Sequence, residues 1–398
     1  MGAGYGNALL GRSHVFLLRI VTLICRGGCL CSVAGPYQYE RQSRLDAEIC
    51  FNATCLISHV VPRNFALPEP IEDRNSSRKS TVIAPPIEIL TRQAGFPEGP
   101  LVMPDGSIAF CDIKAGMIRR LDGDRLAALA DVGGGPNGLA LGPDGWLYVA
   151  NNGGAMRWEE LDGRTISKGF KQSGFDARIE KINLANGSIE RVLDSVDGRA
   201  FQAIDDLVFD PSGEGFWFTD LGRDAEHSRT YGGVYWSKID GSAICECAYP
   251  LVNGANGIGL SPDGSTLYAT EYGAGRLWSW RVEGPGALAS AEGQAHGGTL
   301  VWQAPGAQLL DSLKVTPRGN VVIATQHKGV FSVVSPAGEL LTEIEMPEDF
   351  LTNLCFDPED SSIAYATLST TGRLVKFHWD EAQLSGAIVP SKLSGDNE

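Results

Sequence analysis

The sequence predicts an all-β protein, a six-bladed β-propeller whose closing blade is shared between N- and C-terminal strands. Three observations lead there. First, a polar residue followed six places later by proline recurs six times. The polar positions are Glu98, Asn137, Asp205, Asn256, Asp311 and Thr352, and the prolines Pro104, Pro143, Pro211, Pro262, Pro317 and Pro358. Second, in the first five copies glycine follows at the eighth place, as Gly106, Gly145, Gly213, Gly264 and Gly319. Apolar residues alternate before each turn, as in Leu139 and Leu141 or Ile258 and Leu260, and a second apolar run follows it. An alternating stretch, a Pro-X-Gly turn and a second apolar run make a β-hairpin. Third, the copies lie about 40 to 70 residues apart, the mark of a repeat architecture.

In chain order, residues 1–82 read as an extension outside the repeats. They lack sustained periodicity, carry the polar run EDRNSSRKS at 72–80, and are expected to be poorly ordered. Order is expected to begin near Ile83 and to continue to residue 380. Each copy then supplies four antiparallel strands, for example 256–261, 266–271, 275–282 and about 298–303 in the fourth. Third strands start at Met117, Ile179, Gly233, Val330 and Arg373 in the other copies. Four-stranded units repeated around an axis form a propeller. The sixth copy yields only three clear strands, ending near Trp379, and the run Ile-Glu-Ile-Leu-Thr at 87–91 supplies the fourth. A blade built from both ends closes the ring and removes an exposed sheet edge. Residues 381–398 are left as a tail. The longest interval between copies holds a Gly-rich stretch, 152–176, expected to cover one end of the ring.

Composition narrows the function. The 398 residues suffice for a large core without metal or disulfide support, and the 49 glycines suit many tight turns. A formal net charge of -15 argues against nucleic acid or an anionic membrane surface as partner, since those need clustered Lys and Arg. Five of the nine cysteines crowd into the first 55 residues (Cys25, Cys29, Cys31, Cys50, Cys55), leaving Cys111, Cys245, Cys247 and Cys355 among the repeats. That is no disulfide framework. No run approaches the roughly 20 apolar residues of a membrane-spanning helix. The leader-like run 15–25 is broken by Arg19, so a cytoplasmic location is favoured over secretion. Gly-X-Ser-X-Gly, phosphate-loop, HExxH and paired CxxC motifs are absent. The histidines show no ligand spacing, and only His227 and His327 fall near the expected mouth.

The six polar residues stand at the start of six innermost strands, so they share one level around the channel. Singly, an Asn-Gly such as 137–138 or an Asp before a strand is ordinary turn or backbone-bonding chemistry. As a register-matched ring of Glu, Asn, Asp, Asn, Asp and Thr they offer oxygen donors alone, which hard divalent cations prefer. Thr352 is the member expected only to line the channel. Second strands return to the same end with Asp112, Asn151, Asn152, Asp220, Glu271, Gln326 and His327, a plausible supporting layer.

These residues resemble the senescence-marker-protein/regucalcin and gluconolactonase family of six-bladed propellers. The matching stretches are 96–100 (FPEGP), 204–207 (IDDL) with 216–220 (FWFTD), 256–264 (NGIGLSPDG) with 267–271 (LYATE), and 311–325. The resemblance covers about residues 83–380. It implies one divalent metal ion, calcium first with magnesium, manganese or zinc as alternatives, held by Glu98, Asn256 and Asp311. It also implies that Asp311 passes the proton in lactone hydrolysis. The family's substrate-contacting Asn on the third inner strand is Asp205 here, and an Arg two residues earlier is Ala203. Those departures leave open the lactone's identity and whether Asp205 binds substrate or metal. Between Asp205 and Asp206, the Pro register favours Asp205 as the one facing the channel without fixing it. Asn137 and Asn152 are expected to orient substrate oxygens. The expected activity is that of a metal-dependent lactonase acting on a small-molecule lactone, with Asp311, or Asp205 if it points inward, as the base. A non-catalytic metal- or sugar-binding propeller and a strictosidine-synthase- or arylesterase-like propeller are the alternatives.

Overall fold

A computed structural model describes residues 81–380 and, in a separate unit Met1–Arg74, the backbone of one short antiparallel pair, Leu23–Ile24 with Leu30–Cys31. The rest of the expected 1–82 extension and the tail 381–398 lie outside the described residues.

Residues 81–380 form a six-bladed propeller. The first blade runs Pro97–Val102, Ile108–Asp112, Met117–Asp122 and Arg125–Asp131, each strand antiparallel to the next. The second is Pro136–Leu141, Leu147–Asn151, Arg178–Ile182 and Ile189–Leu193; the third is Ile204–Phe209, Gly215–Asp220, Gly232–Lys238 and Ile244–Leu251. The fourth is Ala255–Leu260, Thr266–Glu271, Arg276–Gly284 and Thr299–Gln303, with Ala287–Leu288 at its rim. The fifth is Leu309–Val315, Val321–Gln326, Val330–Val334 and Leu340–Glu345. The sixth takes Leu351–Phe356, Ile363–Leu368 and Arg373–His378 from the C-terminal side and Ile87–Thr91 from the N-terminal side, so the expected closure is present. An unexpected strand, Thr81–Ile83, pairs in parallel with Leu340–Glu345 and covers the outer edge of the fifth blade. Among the described residues the one helical element is a 3-10 turn, Tyr272–Ala274, and no helix is long and apolar enough to cross a membrane.

The Pro-X-Gly repeats are turns of one geometry. In the first, Gly106 N–H donates to Met103 O and Met103 N–H to Ser107 O, with Gly106 at φ 81°. The glycine's bond recurs at Gly145, Gly213, Gly264 and Gly319; the closing bond recurs unchanged around Gly145 and Gly319 and spans one residue more around Gly213 and Gly264. The glycine is needed because the residue after a type I turn enters the left-handed region, where a Cβ is penalised. The sixth copy, which lacks the glycine, uses a longer loop tied by the Asp357 carboxylate, which accepts from Glu359 and Asp360 N–H.

Both faces of each blade are covered, so its central strands are apolar on both sides rather than alternating with polar residues. Phe110 and Ile108 pack toward the sixth blade, while Cys111 and Ala109 pack toward the second. Six buried clusters result, each between two neighbouring blades; Trp217 and Trp278 share one, and Phe331 stacks on Phe377 in another. Inner strands touch their neighbours around the whole ring, which sets six strand starts about one axis.

Candidate active site

Each inner strand slips register where its regularly spaced polar residue stands. Asp205 and Asp206 together oppose Thr219, Asn256 and Gly257 oppose Thr270, and Asp311 and Ser312 oppose Ala324. Comparable irregularities fall at Glu98 to Leu101, beside Asn137 and at Thr352. A β-bulge of this kind bends the strand and re-aims side chains. Threonines fix the bulges to one another. Thr270 Oγ1 accepts from Gly257 N–H (2.8 Å) and donates to Asp311 O of the next blade (2.8 Å). Thr219 Oγ1 does the same between Asp206 N–H (3.1 Å) and Asn256 O (2.5 Å). The glycine after Asn256 therefore serves packing rather than a turn: a Cβ on Gly257 would lie 2.4 Å from Leu313 N.

All six polar residues line one cavity of about 920 Å³ at the mouth of the channel. Glu98, Asp205, Asn256 and Asp311 are each at most 8% exposed. In the third, fifth and sixth blades the residue after the ring member (Asp206, Ser312, Asn353) lies a layer deeper. Ser312 Oγ donates to Glu98 Oε1 (3.1 Å) and Asn353 Nδ2 to Glu98 Oε2 (3.0 Å), so both oxygens of that carboxylate are held from below. Asp206 belongs to this deeper layer, 3.5 Å from Lys314 Nζ, and Asp205 is the one that reaches the cavity. Thr352 Oγ1 is occupied by Pro97 O, Thr367 and Ser369, as suits a residue that only lines the channel.

The carboxylates resist ionisation. Burial raises Glu98 well above its ordinary range, and the charges of Asp311 and Asp206 add to it. Burial followed by Asp311 and Glu98 does the same to Asp205. Asp311 is pushed up to about 8, chiefly by burial, against the hydrogen bonds it accepts from the Asn256 and Gln326 side chains. Asn256 thus directs its amide N–H at Asp311, and its Oδ1 is buried with no partner; so is Asn137 Oδ1. Two carboxylates beside an unpartnered amide oxygen are a donor set that a hard divalent cation fits. Among the described residues no three His, Cys, Asp or Glu side chains cluster to cage a metal by themselves.

The supporting layer differs from expectation. Asp112 accepts from Phe96 N–H (3.1 Å) and pairs with Arg119, and Asp220 accepts from Gln202, Ala203 and Gly222 N–H. Asn151 and Glu271 tie down Gly135 and Asn253 in the same way. These second-strand ends staple the segment leading into each inner strand. Gln326 alone of them reaches a cavity carboxylate, donating to Asp311 Oδ2. Its Oε1 accepts from Tyr272 Oη (2.8 Å), a cavity residue outside the repeat pattern, whose one clue in the sequence is an aromatic following the second-strand acid Glu271. Asn152, expected to orient substrate, does not line the cavity: its Oδ1 accepts from Gly154 and Ala155 N–H and braces the loop instead. His327 lines the cavity at φ 68°, whereas His227 is exposed.

The Gly-rich stretch is a hairpin, Met156–Leu161 with Arg164–Phe170, that reaches from the second blade to the sixth. Thr165 N–H donates to Thr370 O (2.9 Å), Arg164 to Thr370 Oγ1 (3.0 Å), and Trp158 packs on Phe96 (4.7 Å between centroids). It roofs part of the cavity with Met156, Arg157 and Phe170. A smaller flap, Arg223–Asp224 with Arg229–Thr230, meets it through Arg223 and Lys171 O (3.4 Å).

The family model described as SMP-30/Gluconolactonase/LRE-like region matches residues 96–370. A gluconolactonase of Zymomonas mobilis is 23% identical over 306 residues, 71% of this chain and 78% of its own. A gluconolactonase structure from Xanthomonas campestris superposes with a TM-score of 0.58 at 20% identity, covering 74% of this chain and 89% of that one. The calcium-binding protein regucalcin from Agrobacterium tumefaciens gives 0.57 at 16% identity, over 75% and 95%.

Proposed function

This chain belongs to the SMP-30/gluconolactonase/LRE-like family, and from that premise we propose that it is a divalent-metal-dependent hydrolase that opens a lactone in the channel of its propeller. The observation that carries the proposal is Asp311 in the same cavity as Glu98 and the unpartnered Oδ1 of Asn256. The gluconolactonase relatives support the lactone, and the calcium-binding neighbour puts calcium ahead of magnesium, manganese or zinc. Glu98, Asn256 and Asp311 would hold the ion, whose charge would polarise the lactone carbonyl and acidify water near it.

Asp311 is the base. It takes a proton from the attacking water, whose oxygen bonds to the carbonyl carbon. It returns that proton to the ring oxygen as the ring C–O bond breaks, leaving a hydroxy acid. Without an ion, burial holds Asp311 toward its neutral form; a bound cation would favour the anion that the base role needs. The amide of Gln326, anchored by Tyr272, fixes the carboxylate's orientation. Asp205 and Asn137 face the substrate, with Asn137 Oδ1 free to accept from a hydroxyl. The 156–170 hairpin shields the reacting bond from bulk water.

Asp311→Ala is expected to lower kcat for lactone hydrolysis by on the order of 10²- to 10⁴-fold, the usual scale of general acid–base catalysis, with an unchanged far-UV circular dichroism spectrum. A folded variant with normal turnover would refute the assignment.

A further inference from the structure

The wall above the polar ring is apolar mainly on one side; the other carries Asp224, Glu226, Arg229 and Asn253, with Leu221 an apolar exception. Two residues before each ring member, the fifth, sixth and first blades carry Leu309, Phe350 and Phe96, all lining the cavity. At that register the second, third and fourth blades carry Gly135, Ala203 and Gly254, none of which reaches it. Ile113 continues the apolar side on the first blade, and Met156 and Phe170 close it from the hairpin. The aromatic part is built, not incidental. Phe96 is wedged between Trp158 of the hairpin (4.7 Å) and Phe350 (6.4 Å), three separate segments meeting at one ring. The cavity, about 920 Å³, lies near the top of the roughly 300–1,000 Å³ range that encloses drug-sized ligands. A lone hexose-derived ring fills a small part of that, and any hydroxyl turned toward Phe96 and Phe350 would lose water without gaining a partner there.

Resting on the lactonase reading, we propose that the substrate is a lactone bearing an apolar arm of several carbons. Its ring lies over Asp311 and Asn256, and its arm runs along Phe96, Phe350 and Leu309 under Met156 and Phe170. The polar floor selects the ester; the wall selects the arm.

The test is kcat/KM for γ-lactones whose side chain grows from methyl to heptyl, with glucono-1,5-lactone as the hydroxylated comparator. Each added methylene should raise kcat/KM roughly two- to fourfold until the wall is covered, the scale of burying one CH₂. Every alkyl member beyond propyl should exceed gluconolactone, and Phe350→Ala should shrink the heptyl-to-methyl ratio. Rates indifferent to chain length, or highest for gluconolactone, overturn the proposal. If no lactone is opened, the lactonase reading fails by itself. Calorimetric titration with the matching alkyl lactams then decides the wall: affinity rising with chain length upholds the apolar arm, and flat affinity overturns it.

Discussion

Asp311 stands under opposing pressures. Burial and the charge of Asp206 favour its neutral form, while the amides of Asn256 and Gln326 favour the anion, and the first pair prevails. A carboxyl whose folded pKa is raised holds its proton more tightly in the native state than in the unfolded chain. The native state is therefore undisturbed below the ordinary value of 3.8 and loses stability as pH rises toward about 8. Glu98 and Asp205 are shifted the same way and add to the trend. In the proposed metal-bound state a divalent cation would replace those protons. Chelated protein should thus show a Tm that falls as pH climbs through this window, and protein in excess calcium one that stays level or rises. A chelated Tm that instead climbs with pH would mean the carboxylates are not crowded. At this scale the sequence is informative where residue type decides the chemistry: the ring at Glu98, Asn137, Asp205, Asn256, Asp311 and Thr352 does line one cavity. It misleads at Asn152, because an amide at a strand end can brace backbone N–H groups as readily as face a ligand.

Turns and bulges divide the elements into what could be read and what could not. Pro-X-Gly is legible because its residues answer a local backbone demand. Gly145 sits at φ 78°, and a Cβ there would meet nothing within 4 Å, so Gly145→Ala tests conformation without steric contact. It should cost about 1–2 kcal/mol, the penalty for a Cβ in the left-handed region, read as a lowered urea midpoint at constant slope. A neutral substitution would contradict the turn geometry. The bulges leave no such mark. They depend on Thr219 and Thr270 meeting the next blade's carbonyls across 37 and 41 residues, which no local pattern encodes. Gly257 resembles turn chemistry because the strand that excludes its Cβ belongs to another repeat. The hairpin 156–170 reads as loop since its strands are half exposed and rich in Arg, Glu and Lys, and the few apolar residues they do carry, Met156, Trp158 and Phe170 among them, are too sparse to show an alternating run.

Across the whole molecule, repetition makes the architecture readable: six equivalent hairpins need six equivalent interfaces, and the six apolar clusters between blades are those interfaces. The closing strand Ile87–Thr91 follows from the one blade short of a partner. Thr81–Ile83 does not, being three residues long and paired with a segment 261 positions away at Thr342. The ring's consequence for function is that the first, fourth and fifth blades each contribute one residue to the proposed cation site, so ion binding and catalysis are properties of the closed circle. The most direct measurement is lactone hydrolysis by exhaustively chelated protein, before and after calcium, magnesium, manganese or zinc is restored singly. The account predicts negligible turnover without an ion and recovery with at least one of them. Undiminished hydrolysis in the chelated protein would contradict it.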